Sequence, residues 1–203
     1  MKERLLYSNI WPLLTKEGEK TIETCFIEEI KKSDQLEIAV GFSSCNTLRK
    51  LDELITQQKI KNVSLILGMY YFDGISKALF NLALKINDKW QKSGIGEIRI
   101  IHSFRYHGKL YCFLKSNEVN SAMIGSPNLS FLASKEPDKL EWKQYEIALL
   151  TNKTETLSNI KSHIQSLKSE NISKNIAFLA ENKLLMVIKS VQKEYEKVSK
   201  MKV

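Results

Sequence analysis

Residues 36–42 read LEIAVGF, a short apolar run of the kind that forms a buried β-strand. Residues 47–58 follow with leucine and isoleucine at helical spacing. The same order recurs when VSLILG, residues 63–68, precedes a long amphipathic stretch that runs from residue 75 to about residue 91. Two strand–helix units in succession predict an α/β fold in which helices pack against a sheet.

Further strand signals lie close together in the second half of the chain. Apolar, β-prone runs occupy residues 98–104, 110–114, 121–124 and 145–151. An amphipathic helix is predicted before the first strand, over residues 21–32, because its apolar side chains share one face. Strands that first alternate with helices and then follow one another predict a mixed β-sheet flanked by helices.

The sequence changes character near residue 152. Residues 154–168 and roughly 176–200 have helical periodicity, many lysines and no strand signal. We therefore expect a domain over residues 1–151 and a C-terminal helical segment over residues 152–203. The last helix has an apolar stripe, which we expect to be buried against the domain or at an interface with a second copy.

The composition provides enough apolar residues for a core and gives the chain a basic surplus. The 203 residues are 43% hydrophobic, and 31 Lys plus Arg against 23 Asp plus Glu give a net charge of +8. Such a surplus attracts polyanions such as nucleic acid or an acidic membrane surface.

Cysteine usage and hydropathy indicate the compartment. Three cysteines lie far apart without a CxxC pair, which argues against a disulfide framework or a cysteine zinc site and favours a reducing compartment. The sequence has neither the apolar stretch of a signal peptide nor that of a membrane helix. We expect a cytoplasmic chain with no membrane partner.

One histidine lies where an exposed imidazole would be useful. RYHGKLY, residues 105–111, joins two strand-like runs, and in a strand His107 and Lys109 would face the same side. An imidazole can attack phosphorus, while an ammonium beside it can neutralise the oxygens on which negative charge develops. An ordinary surface turn with two basic residues would contain the same pair.

A second polar segment, IGSPNLS at residues 124–130, follows the next predicted strand. Its small residues permit the close approach of a phosphate, and Ser126 and Asn128 can donate hydrogen bonds to phosphate oxygens. A plain turn of Gly, Ser, Pro and Asn would look the same. The occurrence of both segments at neighbouring strand ends favours a shared anion site.

Together, His107-x-Lys109 and Gly125-Ser126-x-Asn128 resemble the HxK…GSxN signature of the phospholipase D superfamily, which includes bacterial nucleases and metal-independent restriction endonucleases. The resemblance extends over roughly residues 36–151 and is most specific around these two motifs. It implies a phospholipase D-like fold for the α/β domain and phosphodiester hydrolysis as the reaction.

One position departs from the usual pattern of that superfamily. The acidic residue that commonly follows the lysine by five positions is replaced here by Leu114. The restriction-enzyme branch shows the same loss, and there a glutamate on the strand after GSxN takes part in the site. Glu146 occupies the matching place. A carboxylate in an apolar strand is costly to bury alone, so we expect Glu146 to bind and orient His107.

The resemblance also implies a partner and a mechanism. Members of the superfamily use two HxK motifs, and this chain has one, so a homodimer with a twofold axis is implied. One His107 would attack phosphorus to give a phosphohistidine, and the other would protonate the leaving 3′ oxygen and then activate water. Lys109, Asn128 and Ser126 would stabilise the anion, so neither a metal nor another cofactor is expected.

The leading functional hypothesis is a DNA endonuclease of restriction type that acts on double-stranded DNA. The alternatives are a nonspecific nuclease or phosphodiesterase of the same superfamily, or a DNA-binding module that has lost catalysis. Basic residues near the motifs are candidates for phosphate contacts, although each would also suit a solvated surface. These candidates are Arg105, Lys115, Lys135, Lys139 and Lys143.

Overall fold

The computed structural model describes residues 3–132 and 144–181, and the backbone of residues 188–189. The strands are β1 (Arg4–Tyr7), β2 (Gln35–Val40), β3 (Asn62–Leu67), β4 (Ile75–Ser76), β5 (Gly96–Ile101), β6 (Leu110–Lys115), β7 (Glu118–Gly125), β8 (Ile147–Thr151), β9 (Ser173–Asn175) and β10 (Ile188–Lys189). The helices are α1 (Ile22–Lys31), α2 (Cys45–Gln57), α3 (Tyr70–Asp73), α4 (Lys77–Lys92), α5 (Thr154–Leu167) and α6 (Ile176–Glu181). None of these described helices is long and apolar enough to cross a membrane.

Eight of the described strands form one sheet in the order β1-β8-β7-β6-β2-β3-β5-β9. The neighbours β2, β3 and β5 run parallel, and the other neighbouring pairs are antiparallel. Because the parallel strands are joined by the long helices α2 and α4, the centre of the sheet is built as repeated strand–helix units. The predicted mixed sheet flanked by helices is confirmed.

Hydroxyl side chains set where three helices begin. Thr21, Ser44 and Ser76 each accept a hydrogen bond from the backbone N–H three residues later, at the starts of α1, α2 and α4. Such caps satisfy amide groups that the first helical turn leaves without a partner. The helix that was expected from residue 75 accordingly begins at Lys77, and the two residues before it form β4.

The core lies on both faces of the sheet. Phe26 of α1 contacts Tyr111 and Phe113 of β6 edge-to-face, with ring centroids 5.8 and 5.5 Å apart. The alternate residues of β6 point to the opposite face, where they pack with the apolar side of α5. Burial on both faces explains why the central strands are almost continuously apolar.

The strand directions bring several chain segments to one edge of the sheet. The strands β1, β2, β3, β5 and β7 end at this edge, whereas β6 and β8 begin there. We call it the site edge. The predicted HGK and GSPN segments both lie on it, because one precedes β6 and the other follows β7.

Parts of the prediction for the N- and C-terminal regions were wrong. β1 was not predicted, and β9 pairs with β5 although no strand was expected after residue 151. Residues 176–181 are helical as predicted, but Ile188–Lys189 pairs with β4 as a strand. The rest of the helix predicted to residue 200, including its apolar stripe, lies outside the described residues. The expected domain boundary near residue 152 stays a prediction.

Candidate active site

His107 and Lys109 are in direct contact at the site edge. The Lys109 Nζ lies 2.9 Å from Nδ1 and 3.2 Å from Nε2 of the His107 ring, and it donates a hydrogen bond of 2.7 Å to the His107 carbonyl oxygen. His107 is exposed, whereas Lys109 is buried. The ammonium group therefore lies beneath an imidazole that a ligand in solvent can reach.

The backbone achieves this contact in an unexpected way. The prediction placed both residues on one face of a strand, but residues 105–109 have no regular secondary structure and β6 begins at Leu110. Lys109 folds back so that its Nζ reaches both the ring and the carbonyl group of His107. The two functional groups are adjacent as predicted, through an irregular segment rather than through strand alternation.

Burial changes the acidity of the lysine. It lowers the pKa of Lys109 from 10.5, because the charged ammonium loses hydration, and the nearby Glu146 carboxylate opposes this shift by raising the pKa. Lys109 thus carries a charge that water screens poorly, and a negative phosphate beside it would interact strongly with it.

Asn128 is fixed by the segment that follows β2. The backbone N–H of Phe42 donates a hydrogen bond of 3.0 Å to Asn128 Oδ1. Since Oδ1 is the acceptor of the side-chain amide, the Nδ2 group is the end that can donate to a ligand. The Phe42 ring also contacts the His107 ring, with centroids 6.3 Å apart. The segment after β2 therefore touches both motifs.

Gly41 permits this close assembly. A Cβ at this position would lie 3.2 Å from Met69 Cγ, 3.4 Å from His107 Cδ2 and 3.5 Å from Asn128 Oδ1. A larger side chain would have to displace the imidazole or the amide. The absence of a side chain at residue 41 thus keeps the space between the two polar groups open.

Ser126 and Glu146 form the other side of the site. The Ser126 hydroxyl donates a hydrogen bond to the Glu146 carboxylate and accepts one of 3.1 Å from the Ile147 N–H. Glu146 is buried and immediately precedes β8. Ser8, at the end of β1, holds its backbone through two further hydrogen bonds of 3.0 Å. Within the described chain the carboxylate is bound by Ser126, and the expected contact between Glu146 and His107 stays a prediction.

Tyr111 is a positioning residue that the sequence reasoning missed. Its buried hydroxyl donates a hydrogen bond of 2.8 Å to the Pro127 carbonyl oxygen and also contacts the Asn128 carbonyl oxygen. Burial raises the pKa of this phenol well above 10.0, and Glu146 adds to the effect, so it stays a neutral donor. No sequence pattern distinguishes this tyrosine from an ordinary core aromatic residue of β6.

The basic candidates differ in their distance from the site. Arg105 lies two residues before His107, but its Nε donates a hydrogen bond of 3.0 Å to Asp73. Lys115 ends β6 at the edge opposite the site edge, and six residues of nearly extended chain separate it from Lys109 by roughly 20 Å. The expected contact between Lys115 and a DNA phosphate stays a prediction. Lys135, Lys139 and Lys143 lie outside the described residues.

The remaining histidines lie apart from this constellation. His102 Nε2 is 3.2 Å from the Glu170 carbonyl oxygen, and the His163 ring packs on the Tyr106 ring at a centroid distance of 5.9 Å. In the described part of the chain, no three His, Cys, Asp or Glu side chains are grouped so that they could hold a metal ion.

The chain matches a known protein family over most of its length. Residues 20–181 match the family described as NgoFVII restriction endonuclease N-terminal PLD domain. This range includes the four polar residues of the two motifs and Glu146, and it continues through β9 into α6. A search of curated protein sequences gave no significant match.

Several solved structures have the same fold. Nuc, a phospholipase D family member from Salmonella typhimurium, is 16% identical over 86% of this chain and 97% of its own, with a TM-score of 0.54. NucT from Helicobacter pylori is 19% identical over 84% and 97%, with a TM-score of 0.52. Phosphatidylserine synthase from Haemophilus influenzae Rd KW20 is 16% identical over 98% of this chain and 45% of its own, with a TM-score of 0.59.

Proposed function

Because the chain belongs to the NgoFVII restriction endonuclease N-terminal PLD domain family, we propose that it is a metal-independent DNA endonuclease whose active site is completed by a second copy. The observation that carries this proposal is that the buried Lys109 ammonium lies 2.9 Å from the ring of His107, which is itself exposed. That pair combines a nucleophile for phosphorus with a cation for the phosphate oxygens.

In the first step of the proposed reaction, a neutral His107 nitrogen attacks phosphorus. A nitrogen–phosphorus bond forms, and the bond from phosphorus to the 3′ oxygen breaks. The His107 of the partner subunit, in its protonated form, gives its proton to the departing oxygen. The products are an upstream fragment that ends in a 3′ hydroxyl and a phosphohistidine that carries the downstream fragment through its 5′ oxygen.

In the second step, water replaces the enzyme on phosphorus. The partner's His107, now neutral, takes a proton from the water molecule as the new oxygen–phosphorus bond forms and the nitrogen–phosphorus bond breaks. A 5′ phosphate leaves, and both histidines return to their starting states. One imidazole is bonded to phosphorus in the intermediate, while the other serves first as acid and then as base. The reaction therefore needs two imidazoles.

The remaining polar groups would stabilise negative charge in both steps. Lys109 supplies a poorly screened positive charge, and the Asn128 Nδ2 group can donate to a phosphate oxygen because Phe42 occupies its Oδ1. Ser126 is exposed and binds the Glu146 carboxylate. The negative charge of this carboxylate can in turn help to position the Lys109 ammonium. These groups supply the charge neutralisation that Mg²⁺ provides in many other nucleases.

An apolar face next to the site supports association with a second copy. Leu5, Ile124 and Ile147 are all exposed, and the pairing of β1, β8 and β7 places them on one face of the sheet. In the segment that follows β1, Trp11, Leu13 and Leu14 are also exposed. Contiguous exposed apolar side chains indicate an interaction surface. Ser126 and Glu146 border it, so a partner bound here would adjoin the site.

The activity can be tested by plasmid cleavage in the presence of EDTA. The wild type is expected to cut, and His107→Ala is expected to lose at least about a thousandfold in rate, because the nucleophile is removed. His163→Ala is the matched control and should cut like the wild type. A requirement for Mg²⁺, or cleavage that survives in His107→Ala, would contradict the proposal. Discrete fragments would indicate restriction-type specificity, and a smear a nonspecific nuclease.

A further inference from the structure

Two segments next to the active site carry exposed aromatic side chains and an arginine. Residues 69–74, which include α3, follow β3, and residues 102–105 follow β5, so both segments lie on the site edge. The first contains Phe72, which is partly exposed. The second contains Phe104, whose side chain is 43% exposed, and Arg105, which is also exposed. We call Phe72, Phe104 and Arg105 the aromatic cluster.

The arginine of the aromatic cluster is held in a defined orientation. Its guanidinium carbon lies 5.1 Å from the centroid of the Phe72 ring, and its Nε donates a hydrogen bond of 3.0 Å to Asp73. Although both contacts fix the group, the Arg105 side chain remains 58% exposed. Because Asp73 offsets part of the Arg105 charge, the flat face of the guanidinium is the part of Arg105 best suited to bind a ligand.

The backbone joins the aromatic cluster firmly to the catalytic segment. Tyr106 N–H donates a hydrogen bond of 3.1 Å to the Gly68 carbonyl oxygen. A Cβ at Gly68 would overlap the Tyr106 carbonyl group, so the two segments are as close as glycine allows. Phe104 lies three positions before His107, which limits the distance between their Cα atoms to about 11 Å. Stacked nucleotides follow one another at about 3.4 Å along a strand, so this distance spans up to about three of them.

We propose that the aromatic cluster is a stacking surface for unpaired nucleobases next to the scissile phosphate. Every nucleobase has a flat π face that can stack on an aromatic ring or on a guanidinium plane, whatever its sequence. The net charge of +8 would help to hold the strand near this surface. The proposal rests on the proposed function only in taking DNA as the substrate. It adds a site for bases, because the phosphate site by itself does not contact them.

The test measures binding of a single-stranded 16-nucleotide DNA in which one abasic site is moved through every position. The parent protein is His107→Ala, which prevents cleavage. We expect abasic sites at one or two positions to weaken binding roughly 5- to 150-fold each. Phe104→Ala is expected to weaken binding of the intact strand by a similar factor and to remove the dependence on the abasic position, because the stacking partner is already lost.

Phe178→Ala in the same parent is the matched control. Phe178 is 42% exposed and has the Lys174 ammonium 4.6 Å from its ring centroid, but it lies on α6, which leads away from the site edge. It should retain both the affinity and the position dependence. Arg105→Lys keeps the charge and removes the flat guanidinium, so it is expected to weaken the intact strand and leave the abasic strand less affected.

Either of two results would overturn the proposal: every abasic strand binds the parent as well as the intact strand, or Phe104→Ala binds like its parent. Circular dichroism establishes that each variant is folded, and Phe72→Leu replaces Phe104→Ala if the latter does not fold. Failure of the proposed function would appear separately, as a wild type that does not cut plasmid DNA in EDTA, because the binding measurement involves no cleavage.

Discussion

Lys109 is buried beside the imidazole of His107 although its side chain is a cation, and its pKa reports on that environment. We expect a pKa below 10.5, measured by the pH titration of the side-chain NMR signals of labelled lysine. Glu146→Gln should lower it further, because the carboxylate raises it. Lys50, which is exposed, is the internal reference. A Lys109 midpoint at or above 10.5 would contradict the burial of a charged ammonium.

The sign of this shift also has a consequence for folding stability. The folded chain has the lower Lys109 pKa, so it releases this proton at a lower pH than the unfolded chain does. The contribution of Lys109 to the free energy of unfolding therefore rises with pH between the folded-state value and 10.5. Lys109→Met should remove that rise.

The Tyr111 hydroxyl is expected to hold the GSPN segment in place. Tyr111→Phe removes the donor to the Pro127 and Asn128 carbonyl oxygens and should lower the free energy of unfolding by about 1–2 kcal/mol. Urea denaturation measures this change, and kcat for DNA cleavage should fall as Asn128 loses its position. Tyr145→Phe, at an exposed phenol, should change neither quantity. Equal stability of Tyr111→Phe and the wild type would show that the hydroxyl does not restrain the segment.

At the level of single residues, the sequence predicted the polar side chains better than it predicted the groups that hold them in position. His107, Lys109, Ser126 and Asn128 carry recognisable chemistry at recognisable spacings. Phe42 contributes a backbone N–H, and Tyr111 a hydroxyl buried in a core strand. Backbone donors have no residue-type signature, and the partner of a buried hydroxyl depends on strand pairing across the sheet, so neither could be read from the chain.

At the scale of elements, Arg99 anchors β9 to the sheet. Its buried guanidinium binds Glu97 at 2.7 Å, Glu170 at 2.6 Å and the Ser173 carbonyl oxygen at 2.6 Å. Arg99→Ala should lower the free energy of unfolding by about 2 kcal/mol, because the buried hydroxyl and carbonyl oxygens of Ser173 lose their donor. The measurement is again urea denaturation. Lys50→Ala, in an exposed pair with Glu53, should cost less than about 0.5 kcal/mol. A similar small loss for Arg99→Ala would mean that the network does not stabilise β9.

The elements that the sequence predicted are those whose periodicity reflects burial. β2, β3 and β6 are apolar along their length because both faces are covered, and α2 and α4 have one apolar face each. β9 reads SKN and has no such signal, since its place depends on pairing with β5 and on Arg99. β1 was missed for a related reason: its four residues are too few for alternation to be recognised.

At the scale of the whole molecule, the exposed apolar face defined by Leu5, Ile124 and Ile147 is expected to bind a second copy. Ile147→Lys should shift the chain toward monomer in sedimentation velocity at micromolar concentration, because a charge would be buried at the contact. Phe178→Lys places the same charge at another exposed apolar residue, on α6 and away from this face, and should leave the dimer intact. A dimer that persists unchanged in Ile147→Lys would place the contact elsewhere.

In the proposed reaction, two His107 side chains, one from each copy, act on one phosphate without a metal. The most direct measurement mixes wild type and His107→Ala in varied proportions, allows the subunits to exchange, and follows plasmid cleavage in EDTA at constant total protein. Activity should fall with the square of the wild-type fraction, to roughly one quarter at equal amounts, because a hybrid lacks one of its two imidazoles. Activity that falls in simple proportion, to roughly one half, would show that each copy works alone.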